Sequence, residues 1–242
     1  MIGRKIIHLE SVDSTNNYVA NLILQQNIKN GTVILADEQK EGRGQRGAVW
    51  SSKSGTNMLF SLYLESEVLS VDKQFVLSQF ISLSLVDVLS KLGLLAKIKW
   101  PNDIYVNDKK IAGILIENQL SGMKLRSSIV GVGLNVNQID FENISATSVQ
   151  LETDEFSSIH TILLSFLFEL NKNWKLVESN KFSEINTSYL NSLYRKDVTA
   201  IYSDEKGTFS GVILGVTDYG NLILKSNERE KLYYDLKEVS FI

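Results

Sequence analysis

The 242-residue chain has no cysteine, a single proline and two histidines. Without cysteine there can be no disulfide, no thiolate metal site and no thioester-forming nucleophile. No run approaches the ~18 uninterrupted apolar residues of a membrane-spanning helix. The N-terminal MIGRKIIHLESVDST lacks the apolar core of a signal peptide, so a cytoplasmic location and no membrane partner are expected. Neither charge sign is in excess: 25 basic against 28 acidic side chains leave a net charge of -3, and no global field selects nucleic acid or an anionic surface. Repeats and low-complexity tracts are also missing. With 43% hydrophobic and 22% charged residues, the chain can build one sizeable domain plus a small one.

What is present concentrates in residues 96–117, AKIKWPNDIYVNDKKIAGILIE. Ile98, Trp100, Ile104 to Val106 and Ile111 to Ile116 make short, β-branched apolar runs, the pattern of strands buried in a sheet. Polar groups interrupt it twice. Trp100-Pro101-Asn102-Asp103 holds the proline, which fixes its own φ and biases Trp100 toward extended backbone. Asn107-Asp108 tolerates left-handed conformations and predicts a tight hairpin whose return strand begins at Lys109-Lys110. Such a hairpin gathers Asn102, Asp103 and the lysines, an amide, a carboxylate and an ammonium suited to holding an anion. The plain alternative is that the two lysines blunt an exposed turn.

Upstream, Lys5 to Leu9 reads as a short strand, followed by Ser14-Thr15-Asn16 and a helix carrying Tyr18, Val19, Leu22 and Ile23. Ser14 is placed as an N-cap, which alone would account for the polar trio. Free N–H groups at that helix start also suit a polar acceptor. Thr32 to Asp37 predicts a second strand. It feeds a loop in which Gly42, Gly44 and Gly47 let backbone N–H groups approach phosphate while Arg43 and Arg46 add charge. A solvated surface loop, or an arginine-glycine contact to single-stranded nucleic acid, are the alternatives there.

Met58 to Leu64 is another strand, and Phe75 to Leu92 a core helix stopped at Gly93. Leu125 to Val136 reads as a strand in which Gly131 and Gly133 mark a bulge or a close approach by a ligand or another chain. Ser158 to Trp174 is an amphipathic helix with His160 off its apolar stripe, and Phe182 to Leu193 a short one. Past Arg195 the pattern becomes a meander: Val198 to Tyr202, Gly207 to Val216, Leu222 to Leu224 and Lys231 to Tyr234, separated by polar turns, predict a small barrel.

Taken in order, these stretches resemble the biotin protein ligases. KWPND, a short turn and KIAGILIE, from Lys99 to Glu117, match the family's central motif. SVDSTN is similar to its opening motif, and Gln39 to Ser61 to its glycine-rich loop, tryptophan and following strand. GVGLNV and the A-T-S segment at 146–148 are similar as well, and GVILGVTDYGNL resembles the SH3-like C-terminal domain. The resemblance implies an α+β fold: a class II synthetase-like mixed β-sheet flanked by helices, with a small C-terminal SH3-like β-barrel. It implies a catalytic domain over 1–194 and the SH3-like domain over 195–242. Because the first motif begins near residue 11, the expectation is a monofunctional member without the DNA-binding domain that some members carry, hence no DNA partner.

Residue by residue, the resemblance implies that Lys110, Arg43 and Asp103 carry catalysis. Ser14, Thr15, Asn16 and Gln39 would hold the ureido ring of biotin, with Arg43, Gly44, Gln45, Lys110, Gly113, Gly131 and Gly133 completing that site. Arg43, Arg46, Trp50, Asn102, Lys110 and Asn135 would meet the nucleotide. Gln45 and Ala48 depart from the pattern, since many members have arginine at both positions. That puts retention of the reactive intermediate on Arg46, or on Arg43, Lys110 and closure of the loop alone. The proline often found upstream of the A-T-S segment is missing too, and no adenine-stacking residue is assigned from that segment.

The implied reaction joins biotin to ATP, with Mg²⁺, as biotinyl-5'-AMP, then passes the acyl group to a lysine of a biotin carboxyl carrier domain. Two anions must meet in the first step, which is why cations and loop N–H groups are needed. The anhydride must then be kept from water. Asp103 is read as an orienter or proton acceptor for the incoming amine, or as a support for Lys110. No protein metal-ligand set is assigned, and a homodimer is left open. A lipoate ligase of the same fold and a catalytically idle biotin- or nucleotide-binding module are the competing readings.

Overall fold

β-Branched runs from distant parts of the chain assemble into one mixed sheet. The computed structural model describes residues 1–66, 68–142, 144–226 and 232–242, and at Arg46 the backbone alone. Seven strands, β1 (Lys5–Val12), β2 (Thr32–Gln39), β3 (Asn57–Glu65), β4 (Lys97–Lys99), β5 (Asp103–Val106), β6 (Lys109–Ser121) and β7 (Lys124–Asn135), lie in the order β1-β2-β3-β7-β6-β5-β4. Only β1 and β2 run parallel among these neighbours, and α1 (Thr15–Leu24) makes the crossover that a parallel pair requires.

The faces of β2 divide the packing. Val33 and Leu35 enter the main core with α2 (Phe75–Lys91) and α4 (Ile159–Glu178), whereas Ile34 joins Ile129 of β7 against Val19 of α1. β3, sandwiched between these layers, is buried at every position except Glu65. Helix α2 ends where Gly93 takes φ +79°. Beyond α3 (Val149–Thr153), α4 and α5 (Phe182–Asn191), a second, antiparallel sheet forms. It contains β8 (Thr199–Asp204), β9 (Gly207–Val216), β10 (Leu222–Ser226), β11 (Leu232–Tyr234) and β12 (Ser240–Phe241), in the order β11-β10-β9-β8-β12. This is the small C-terminal β unit expected from the meander; Lys231, expected to open its fourth run, lies outside the described residues. β12 was not anticipated, because two residues carry no readable periodicity. Among the described residues no helix is long and apolar enough to cross a membrane.

Between α2 and α4 sits a buried acid. The Glu169 side chain is only 2% exposed and takes Lys91 Nζ at 2.6 Å and Lys172 Nζ at 2.7 Å. Burial alone would push its carboxyl up, but hydrogen bonds and charge from the two lysines outweigh that and hold it below its ordinary value of 4.5. A depressed folded value means stability that is present above the unfolded pKa and lost as pH falls through the folded one. Glu169→Gln is therefore expected to cost about 1.5–3 kcal/mol near neutral pH, a fall of roughly 3–12 °C in Tm. In thermal melts the gap between variant and parent should close as the pH is taken below the carboxylate range; a gap independent of pH would refute the charge assignment.

Candidate active site

The hairpin turn that local chemistry predicts is formed: Asn107 and Asp108 take φ of 47° and 62°, a two-residue connection between β5 and β6. The next feature is not local. Ile104 pairs with Ala112 but Tyr105 pairs with Lys110, so Ile111 is an extra residue on β6. A one-residue bulge reverses which side chains share a face. It brings Lys110 onto the face of Asp103, and Lys110 Nζ lies 2.7 Å from Asp103 Oδ1. The corner before them is pinned twice across the sheet. Asn102 Nδ2 donates to the Ile114 carbonyl at 2.6 Å, and Ile114 N–H donates to the Asn102 carbonyl at 2.9 Å. Behind Lys110, its own N–H and C=O bond to Ser145 and Thr147, so the A-T-S segment backs the lysine.

Lys110 and Asp103 border a cavity of about 440 Å³, within the usual range of small-molecule sites. Its far end is a neutral polar network. Thr15 N–H and Oγ1 donate to Gln39 Oε1 at 2.8 and 3.0 Å, and Ser61 Oγ bridges Thr15 Oγ1 and Asn16 Oδ1 at 2.7 and 2.6 Å. Asn16 Nδ2 and Arg43 Nη2 both donate to Glu117 Oε2, at 2.7 and 3.0 Å. Ser14 occupies the N-cap position of α1 with extended backbone, yet its hydroxyl makes no capping bond. The first helical N–H, that of Thr15, is satisfied from β2 by Gln39, while the bond a Ser14 cap would accept from the second or third helical N–H is not made.

The glycine-rich loop closes on itself. Gly44 N–H donates to the Ala48 carbonyl and Trp50 N–H to the Gly42 carbonyl, at 2.7 and 2.9 Å, with a bridge between Arg43 and Val49. The loop delivers the Trp50 indole onto Gly113 and Gly133, which are cross-strand partners. A Cβ on Gly133 would stand 2.4 Å from the indole, and one on Gly113 3.0 Å from it. Gly131 does the same for Asn16, where an added Cβ would meet Oδ1 at 2.5 Å. The close approach expected at these strand glycines is made, within the chain itself, by Asn16 and Trp50. The Trp50 Nε1 is buried and has no hydrogen-bond partner among the described residues.

Every residue expected from sequence at the biotin, nucleotide or catalytic sites borders this one cavity, with two exceptions. Asn135 is 4% exposed, and its amide donates at 3.0 Å to the Thr147 carbonyl. It therefore secures the segment behind Lys110 and does not face the cavity. The Arg46 side chain lies outside the described residues. Sequence reading passed over Ser61, although a hydroxyl in an otherwise apolar strand is a signal. It also passed over Glu117, which accepts from Asn16 and Arg43, and over Lys99 and the C-terminal residues Leu236, Lys237, Val239, Ser240 and Phe241, which close one side of the cavity. Among the described residues no group of three or more histidine, aspartate or glutamate side chains could hold a metal ion.

Comparison with known proteins agrees with this arrangement. The sequence pattern of the Biotin/lipoate A/B protein ligase family matches residues 8–135. The bifunctional ligase/repressor BirA of Bacillus subtilis (strain 168) is 30% identical over 244 residues, covering 97% of this chain and 73% of its own. The biotin–[acetyl-CoA-carboxylase] ligase of Paracoccus denitrificans is 30% identical over 230 residues, covering 90% of this chain and 92% of its own. Among solved structures, the biotin protein ligase from Aquifex aeolicus in complex with biotin and ATP superposes with a TM-score of 0.81 at 26% identity, over 98% of both chains. Sequence pattern and fold thus show that this chain belongs to the biotin/lipoate A/B protein ligase family.

Proposed function

We propose that this protein is an ATP-dependent ligase that activates biotin as biotinyl-5'-AMP and transfers it to a lysine of a biotin carboxyl carrier domain. The observation that carries the reading is the juxtaposition, in one cavity, of a neutral donor-and-acceptor network with the Lys110–Asp103 pair and a seated indole. A ureido ring offers one carbonyl acceptor and two N–H donors, which Thr15, Asn16 and Gln39 can match, with Ser61 holding Thr15 and Asn16 from behind. A dithiolane would leave those polar groups without partners at about 1–3 kcal/mol each, so lipoate is disfavoured.

In the first step a biotin carboxylate oxygen attacks the α-phosphorus, and the bond to the bridging oxygen breaks as pyrophosphate leaves. Lys110 and Arg43 offset the repulsion between carboxylate and phosphate. Trp50 offers the adenine a flat apolar face, and Asn102 fixes the corner beside the phosphates. In the second step the carrier's ε-amine attacks the acyl carbon, an amide forms, and AMP leaves with the C–O electron pair. Asp103 orients that amine or takes its proton. Mg²⁺ typically keeps phosphate and water oxygens as most of its ligands. With one carboxylate at the phosphate end, the residues fit an ion that arrives on ATP, and it would neutralise phosphate charge.

We assign residues 1–194 to the catalytic part and 195–242 to a C-terminal part. The composition of the second sheet, whose strands all follow residue 195, supports the division, although the apolar core runs unbroken across it. ATP dependence and the lack of cysteine accord with action in the cytoplasm. The test is incubation with ATP, Mg²⁺, biotin and a carrier domain, followed by mass spectrometry of the carrier. One biotinyl group on a single lysine is expected, with no modification when lipoate replaces biotin. Tight biotin binding without transfer would favour an idle binding module.

A further inference from the structure

Lys99 is a cavity-lining cation that neither the polar network nor the Lys110–Asp103 pair employs. It ends β4 and is the cross-strand partner of Asp103, which in turn pairs with Gly113, and Gly113 with Gly133. One row across four strands therefore runs from the Trp50 seat, past Asp103, to Lys99. Adjacent strands are about 4.8 Å apart, so Lys99 stands roughly 10 Å beyond Gly113, on the side away from the indole.

Its half-buried ammonium donates to Tyr105 Oη at 3.0 Å and lies 4.5 and 5.2 Å from the ring centres of Tyr105 and Phe241. Those aromatic faces hold it in place. Among the described residues no carboxylate lies within ion-pair distance of Lys99, whereas Lys110 is paired with Asp103 and Arg43 with Glu117. Burial lowers its pKa, with the charge of Asp103 acting in the opposite sense. A cation stripped of part of its water and given no counter-ion is a site where an anion is gained at little further desolvation cost.

Resting on the ligase reading, we propose that Lys99 grips the pyrophosphate end of ATP and stabilises the leaving group, with Phe241 of the last strand as the wall that keeps its ammonium aimed into the cavity. As the bond between the α-phosphorus and the bridging oxygen breaks, the electron pair and its negative charge pass to pyrophosphate. Lys99 meets that charge and exchanges no proton. It takes no part in the second step, from which pyrophosphate has departed.

Biotin-dependent exchange of pyrophosphate into ATP separates the two steps. Lys99→Met, which keeps the aliphatic stem, is expected to raise KM for both pyrophosphate and ATP by about tenfold or more, the loss typical of a hydrogen bond to a charged group. Transfer from supplied biotinyl-5'-AMP to the carrier should stay within about twofold of the parent, and Lys99→Arg should recover most of the exchange. Should Lys99→Met fail to fold, Lys99→Gln removes the charge while keeping a donor for Tyr105. Unchanged KM for pyrophosphate, or equal damage to transfer from supplied adenylate, would overturn the assignment. A parent protein with no biotin-dependent exchange would instead overturn the ligase reading itself.

Discussion

Lys110→Ala is expected to lower biotin-dependent adenylate formation by about 10²–10³-fold, the usual cost of removing one preorganised group from developing charge. The bulge at Ile111 directs this ammonium to Asp103 at the border of the cavity, and the A-T-S segment holds its backbone from behind. Stability should hardly change. The pair it makes with Asp103 is partly exposed, at 30% and 23%, so solvent covers much of the loss, and pairs open to water contribute roughly 0–1 kcal/mol. Lys110→Arg should rescue poorly, because a planar guanidinium does not replace a compact point charge in the same space. The measurement is pyrophosphate exchange alongside a thermal melt. Retention of more than a tenth of parental exchange by a folded alanine variant would remove Lys110 from the chemistry.

The second large effect comes from adding a single methyl group at two strand glycines. At Gly131 a Cβ would stand 2.5 Å from Asn16 Oδ1, and at Gly133 2.4 Å from the Trp50 ring. Neither residue has positive φ, so Ala suits the backbone, and its effect must come from what it displaces. Gly131→Ala pushes Asn16 out of its bonds to Ser61 and Glu117 and should raise KM for biotin by about tenfold or more, in line with the ~1–3 kcal/mol cost of an unsatisfied buried polar group. Gly133→Ala unseats the indole and should raise KM for ATP by a similar factor, in line with the ~1–3 kcal/mol of base–aromatic stacking. The cross-effects, Gly131→Ala on ATP and Gly133→Ala on biotin, should be much smaller. If both variants shift both constants equally, the division of the cavity into a biotin end and a nucleotide end is wrong.

Several parts of this arrangement are legible residue by residue. Asn107-Asp108 announces its turn because few other pairs accept two consecutive positive φ values. Gly93 marks the end of α2 for a related reason, and the alternation of buried and exposed residues is read from side-chain chemistry alone. Strand glycines at 131 and 133 signal that something approaches the backbone, though not what. Ser14 shows the opposite case: its residue type fits a cap, but its hydroxyl makes no capping bond, and the N–H of Thr15 is taken by Gln39, 24 positions on. Asn135 resembles a ligand contact by motif and turns out to brace Thr147.

The sequence by itself determined much of the short-range structure: which runs become strands, that α2 stops at Gly93, and that β5 and β6 form a hairpin, although α4 continues to Glu178, past the expected Trp174. Backbone preference and apolar periodicity act over a few residues, so a few residues suffice to read them. Only the tertiary structure decided that a single extra residue turns Lys110 toward Asp103, that Arg43 reaches Glu117 across 74 positions of sequence, and that the last strand closes the cavity beside Lys99. Strand register and the filling of space above a glycine are set by groups far apart in the chain, and they exist only once the sheet has formed and the layers have packed.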